Sequence, residues 1–265
     1  MAEQDTMTVR TTPSLFDVTD KIVLITGATG GLGQAAAKRL AEAGAKVMLT
    51  ARSEDKLASI AASIVQEEGI ATYTAGRPDD AGDVRRVVEA TVERFGGLDV
   101  LITAAGTNHV HPIIEYPLEE WEEVMDVNVK GTWLACKEAG RVMIEQGRGG
   151  KVILISSARG ELGMANYSAY SPSKAAINLL TRSLACEWGK YGINVNAIAP
   201  TVFRTALTQW MFDDQAVYKR FLTRIPLGRL GEAEDLIGPL IYLASHASDF
   251  MTGAILYVDG GYTAG

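Results

Sequence analysis

The chain has 265 residues, 47% of them hydrophobic and 22% charged, enough to bury the core of one large α/β domain. A net charge of −7 argues against a nucleic-acid partner, which demands a basic patch, and the two cysteines, Cys136 and Cys186, read as small hydrophobes, not as a disulfide or metal pair. The absence of an apolar run of about 18 residues, and of a basic-then-apolar leader, argues against a membrane span or a secretory signal, so a cytoplasmic protein is expected.

In chain order, residues 1–19 are polar and aperiodic and predict a flexible N-terminal arm. Residues 20–265 then predict one catalytic domain. Runs rich in Val, Ile and Leu at 21–26, 46–51, 70–74, 98–103, 151–156, 193–198 and 254–258 are nearly continuous in apolar residues. That suits parallel strands covered on both faces. Stretches of helical period lie at 31–43, 54–68, 80–95, 118–145, 170–188 and 232–246. Strand and helix in alternation predict right-handed βαβ units, hence a doubly wound, seven-stranded Rossmann sheet flanked by helices. Residues 201–231 break the rhythm and predict a substrate-binding lobe.

The first strand runs into Thr26-Gly27-Ala28-Thr29-Gly30-Gly31-Leu32-Gly33, with a helix beginning at once. Glycines there let the backbone turn sharply, approach a pyrophosphate and pack the helix close to the strand. The strand–turn–helix context makes this a dinucleotide site. The second strand ends in Ala51-Arg52-Ser53. An acid at this position would bond the ribose 2′-hydroxyl of NAD, whereas an arginine suits the 2′-phosphate of NADP. NADP is therefore expected, with NAD as the alternative.

Tyr170 and Lys174 are four apart and share a helix face. Pro172 between them is tolerable only in a first turn, which fixes the helix start. A free tyrosine has a pKa near 10 and needs a neighbouring positive charge to act as a base at neutral pH. Lys174 and the positive ring of an oxidised nicotinamide are the expected sources. Ser157 ends a strand and can bond a substrate oxygen. Asn128, on the long preceding helix, can hold a water or a backbone group beside the lysine.

The TGxxxGxG turn at Thr26–Gly33, the YxxxK pair at Tyr170 and Lys174, and Ser157 and Asn128 resemble the short-chain dehydrogenase/reductase family in its compact single-domain branch. Pro226-Leu227-Gly228-Arg229, Thr252-Gly253 and Val258-Asp259-Gly260-Gly261 extend the resemblance over residues 20–264. It implies an oxidoreductase acting on CH–OH groups, similar to sugar-acid or polyol dehydrogenases or to ketoreductases. In it Tyr170 would transfer the proton, Lys174 would lower its pKa and hold the nicotinamide ribose, Ser157 would orient the substrate oxygen, and Asn128 would support a water relay. The implied cofactor contacts are Gly27, Thr29, Gly31, Leu32, Gly33, Arg52, Ser53, Arg77, Pro78, Ala105, Gly106, Pro200, Val202 and Thr205, with Tyr170 and Lys174. Four departures stand out. The family's NNAG reads Thr103-Ala104-Ala105-Gly106, in which Thr103 could bond in part; its adenine-binding Asp aligns with Arg77; its PG after the sixth strand reads Pro200-Thr201; and Gly30 stands where NADP users often carry a basic residue. Arg77 lacks an acceptor for adenine; it could stack on the adenine face or share the 2′-phosphate with Arg52, and the second is the role expected.

On the substrate side the resemblance implies Asn108, His109 and His111; Ser157, Arg159, Glu161 and Met164; Asn166 and Tyr167; and Phe203, Arg204, Trp210, Met211 and Phe212. The polar mix tilts toward polyols, sugar acids or small hydroxy acids, with Arg159 or Arg204 as the partner of a carboxylate. No metal is expected. A homotetramer is implied, with contacts near 118–145 and 170–188 and at the C-terminal strand. The alternatives are a 3-oxoacyl-thioester reductase and a non-catalytic dinucleotide-sensing regulator, the latter disfavoured by the intact Asn–Ser–Tyr–Lys set.

Overall fold

The computed structural model describes residues 11–205 and 208–265. Its seven strands are β1 (Ile22–Thr26), β2 (Lys46–Thr50), β3 (Ile70–Tyr73), β4 (Val100–Thr103), β5 (Gly150–Ile155), β6 (Ile193–Pro200) and β7 (Ile255–Val258). They form one sheet in the order β3-β2-β1-β4-β5-β6-β7, every pair parallel. The helices are α1 (Thr12–Leu15), α2 (Gly31–Glu42), α3 (Glu54–Gln66), α4 (Ala81–Phe95), α5 (Leu118–Met125), α6 (Gly131–Gln146), α7 (Tyr170–Trp188), α8 (Gln209–Asp213), α9 (Gln215–Leu222) and α10 (Ile237–Ala244). This is the doubly wound Rossmann sheet that the alternating pattern predicts. The strand order reverses between β1 and β4, where such sheets open a crevice beyond their C-terminal ends.

Alternation along the buried strands supplies two cores. Val23 and Ile25 of β1, with Val100 and Ile102 of β4, join Leu40 of α2 and Ile60 of α3 on one face. Leu24 and Leu101 point the other way, onto Val84 and Val88 of α4, Met143 of α6 and Ile177 of α7. A third cluster, with Val202, Met211, Phe212, Phe221 and Tyr262, closes the 201–231 lobe over the C-terminal ends of β5 and β6. Its helices are the short α8 and α9.

Two sequence expectations change. The helix expected over 118–145 is broken by a π-helical segment at Asp126–Lys130 that carries Asn128. Of the stretch read as a flexible arm, residues 1–10 lie outside the described residues. The rest holds α1, and Val18 is buried in the first core.

Candidate active site

A cavity of about 320 Å³ opens beyond the ends of β1, β2 and β4. Gly27, Thr29 and Gly30 form one wall, and Ala105 and Gly106 another. Gly27 has a φ of 65°, and a Cβ there would stand 2.4 Å from the Ala105 nitrogen, so only glycine fits. A Cβ at Gly33 would stand 2.4 Å from the Gly27 carbonyl oxygen, so Gly33 lets α2 start against the turn. Helix α2 begins at Gly31 with no side-chain cap, which leaves first-turn N–H groups for an anion. Leu32 packs against the first core, and a Cβ at Gly31 would touch Thr205, so these two serve the turn's packing. Thr103 departs from expectation: its hydroxyl is buried with no hydrogen-bond partner among the described residues.

At the far end of the cavity Arg52, Ser53, Arg77 and Pro78 line the wall together. Lys56, which the sequence reading passed over, joins them. Its signal was its place four residues after Arg52, in the first turn of α3. Arg77 is held by a partner that was also passed over. Its guanidinium donates to Asp79 at 2.6 and 3.3 Å, and its backbone N–H donates to Asp83 at 2.9 Å. The expected reach of Arg77 toward Arg52 therefore competes with a carboxylate two residues away. The donor set fits a dinucleotide: a glycine turn and an uncapped helix for the pyrophosphate, with Arg52 and Lys56 for a phosphate monoester on the ribose.

Of the four candidate catalytic residues, Ser157 and Tyr170 line a second cavity of about 130 Å³, and Asn128 and Lys174 lie beside Gly106 of the first. Ser157 caps the short helical turn that follows β5. Its Oγ accepts the Arg159 N–H at 3.1 Å and donates to the Pro200 carbonyl at 3.4 Å, and it lies near enough to the Tyr170 phenol to lower its pKa. Tyr170 is the first residue of α7, and its ring meets that of Tyr167 edge-on at 6.1 Å. Lys174, one turn along, is buried; its ammonium donates to the Ile155 carbonyl at 2.9 Å and lies 5.6 Å from the Tyr170 ring centroid. Asn128 is buried and closes the group. Its amide donates to the Thr107 carbonyl and to Ser173 Oγ, both at 3.0 Å, and accepts the Thr107 N–H at 2.8 Å. The π turn sets this side chain between Thr107 and α7, and such turns recur at functional sites. Ser173, passed over by the sequence reading, ties the set together by donating to the Tyr170 carbonyl at 2.7 Å.

Burial dominates the electrostatics. It pushes the Tyr170 phenol above its ordinary value, against the Ser157 hydrogen bond and the charge of Arg159. It also depresses the Lys174 ammonium to about 8. In the protein alone burial outweighs these effects, so the phenol is protonated at neutral pH, and the Lys174 ammonium is bonded to a carbonyl.

The smaller cavity is lined by Asn108, Ser157, Arg159, Met164, Tyr167, Tyr170 and Val202, with Trp210 and Met211 of the lobe. The other substrate candidates lie elsewhere. His109 pairs with Glu120 and Glu123, and His111 with Glu120. Arg204 pairs with Glu232 at 3.3 Å and stacks on Phe212. Glu161 accepts from Tyr257, Asn166 is exposed, and Phe203 borders a separate cleft. These side chains find local partners first, which residue type alone does not reveal. The residue missed on this side is Tyr262, which accepts a hydrogen bond from Arg159 and closes the lobe.

A family model described as enoyl-(acyl carrier protein) reductase matches residues 27–263. An uncharacterised oxidoreductase of Mycobacterium tuberculosis is 52% identical over 256 residues, which cover 94% of this chain and 93% of that protein. The glucose 1-dehydrogenase of Gluconobacter oxydans is 40% identical over 247 residues, 92% of each chain. Among solved structures, a gluconate 5-dehydrogenase from Burkholderia cenocepacia in complex with NADP and tartrate is similar with a TM-score of 0.92. Its identity is 34%, over 95% of this chain and 98% of that one.

Proposed function

The chain belongs to the short-chain dehydrogenase/reductase family of oxidoreductases, and from that premise we propose that it interconverts a secondary alcohol and a ketone on a small polar substrate, with NADP(H). The observation that carries this reading is the Ser157 and Tyr170 side chains together in the wall of the smaller cavity, with buried Lys174 one turn along α7. Two hydroxyls on one side of a cavity can both donate to a carbonyl oxygen held there. The phenol, kept protonated by burial, is the acid: its O–H bond breaks as the substrate oxygen takes the proton. In the oxidation direction the same oxygen must first lose its proton. Lys174 and Asn128, joined to backbone at Ile155 and Thr107, keep Tyr170 and the cavity wall in register.

The glycine turn, Arg52 and Lys56 would hold NADP, and when bound it supplies or accepts the hydride. The gluconate 5-dehydrogenase with NADP, and the glucose 1-dehydrogenase, support both the cofactor and the small polar substrate. A cavity of about 130 Å³ with a guanidinium in its wall is a poor host for the acyl chain of a 3-oxoacyl thioester. The test is a panel of polyols, sugar acids and hydroxy acids with NADP⁺, followed by absorbance of the reduced cofactor. Turnover by the wild type, cut by about 100-fold or more in Tyr170→Phe with NADPH binding retained, is the expected result. A Tyr170→Phe enzyme that keeps more than about a tenth of the wild-type rate would remove Tyr170 from its role.

A further inference from the structure

Among the described residues Arg159 is the one charged side chain in the wall of the smaller cavity, and no carboxylate among them lines that wall. It is only 8% exposed. Among the described residues no acid is ion-paired with it. Its guanidinium donates once to the Gly163 carbonyl, at 3.2 Å, and once to the Tyr262 hydroxyl, and it lies 5.0 Å from the Tyr262 ring centroid. A guanidinium carries five N–H groups, so the remaining ones have no acceptor among the described residues. A buried cation without a counter-charge is costly, and the cost is offset when a ligand brings the anion. The wall holds a second unpartnered group. Asn108 Oδ1 is buried and accepts no hydrogen bond among the described residues. Arg204, the other arginine considered for this role, already has Glu232 and lies outside the cavity.

We infer that Arg159 is a carboxylate anchor, so that the substrate is a small hydroxy acid and its keto acid. This rests on the oxidoreductase reading of the site and narrows it. The carboxylate takes the open N–H groups of Arg159, and a substrate hydroxyl donates to Asn108 Oδ1. The carbinol oxygen meets Ser157 and Tyr170. In the oxidation direction the Tyr170 phenol first gives its proton to solvent; the carbinol C–H bond then breaks with its electron pair passing to NADP⁺, the O–H proton passes to the Tyr170 phenolate, and the C=O bond forms. Tyr262 is the positioning residue: its hydroxyl and ring hold the guanidinium against the cavity. A neutral polyol would leave the guanidinium unpaired and bind more weakly for that reason.

The experiment compares matched acids and alcohols on the full chain. Turnover is measured for D-gluconate against D-glucitol with NADP⁺. Binding to the NADPH complex is measured by calorimetry for tartrate against threitol, a pair that differs in carboxylates and needs no chemistry. The expected result is a preference for the acid of about 10- to 100-fold in each pair, the size of a charge-assisted bond. That preference should collapse toward unity in Arg159→Gln, mainly through KM and Kd, with partial recovery in Arg159→Lys. Tartrate binding no tighter than threitol in the wild type overturns the anchor, and it does so even if Arg159→Gln fails to fold. An equal loss for acid and alcohol in a folded Arg159→Gln also overturns it, by making Arg159 a structural brace. Turnover of glucitol but not gluconate sinks the anchor and leaves the oxidoreductase reading standing. Arg159-dependent tartrate binding, with no alcohol oxidised, does the reverse.

Discussion

At the scale of single residues, the chemistry turns on a tyrosine whose surroundings hold its proton. Burial raises the Tyr170 phenol, and Lys174, itself depressed to about 8, is bonded to the Ile155 carbonyl. The sign of the pH dependence follows. Ketone reduction uses the protonated phenol, so its kcat/KM should be flat through neutral pH and fall as pH rises through the phenol's raised value. Alcohol oxidation uses the deprotonated form and should climb over the same range. Opposite limbs in the two pH–rate profiles, both shifted by the same substitution of Tyr170, are the check; parallel limbs would point to another acid. At the other end of the cavity, Arg52 has no hydrogen-bond or ion-pair partner for its side chain among the described residues, whereas Arg77 has Asp79. Arg52→Ala should therefore lower kcat/KM with NADP by about 10- to 100-fold and leave NAD nearly unchanged. Arg77→Ala should have a smaller effect, because its guanidinium must leave a carboxylate to reach a phosphate. Equal, selective losses in the two variants would show that the two arginines share the phosphate after all.

At the scale of elements, helix starts matter because helices carry the cavity walls. Helix α4 brings Val84, Val87 and Val88 to the larger cavity, and its N-cap is Asp80, whose side chain accepts the Asp83 N–H at 2.8 Å. Asp80→Ala should cost about 1 kcal/mol. In a domain of this size that lowers the melting temperature by roughly 2–4 °C. A matching loss of stability with unaltered kcat is expected in calorimetry and assay; an unshifted Tm would mean that water replaces the cap. The elements were also where the sequence was most and least legible. Continuous apolar runs marked all seven strands to within a residue or two, because a strand buried on both faces has little choice of residue. Pro172 fixed the start of α7 because a ring without an N–H fits only a first turn. The π segment at Asp126–Lys130 carried no such mark: widening a turn by one residue changes bond partners, not residue types. The lobe was legible as an interruption but not as α8 and α9, whose few turns are held by packing with Tyr262 and Phe221 and not by their own periodicity.

At the scale of the molecule, the same physics explains which site residues could be read in advance. Spacing puts Tyr170 and Lys174 on one face of α7, whereas Ser157, at the turn after β5, and Asn128, on the π segment, were placed beside them by the family resemblance. Which arginine faces the substrate depends on which has a carboxylate nearby, and that is a property of the folded surface: Glu232 takes Arg204 and leaves Arg159 alone. The surface also bears on assembly. Helix α6 exposes Trp133 at 48% and α7 exposes Leu179 at 62%, while α5, packed on α7, exposes Leu118 and Trp121. A second apolar feature lies at the β7 end of the sheet. β7 ends the sheet, so among the described residues one edge of it has no neighbouring strand, and Phe250, fully exposed, lies a few residues before it. Exposed aromatic patches and an uncovered strand edge are each unusual on a monomer. Two separate self-complementary faces generate a closed tetramer of dihedral symmetry, whereas one face generates only a dimer. Light scattering at micromolar concentration should therefore give four times the chain mass of 28.4 kDa. Trp133→Glu with Leu179→Glu, placed on one face, should reduce that mass to a dimer, and adding Phe250→Asp should reduce it to a monomer. A wild-type monomer would sink the prediction, and a wild-type dimer would assign one of the two faces to water. Because Tyr262 closes the lobe and follows β7 by only a few residues, the stepwise variants also report on the site. If the β7 face supports the guanidinium of Arg159 through Tyr262, KM for an acid substrate should rise at the second step of disassembly and not at the first.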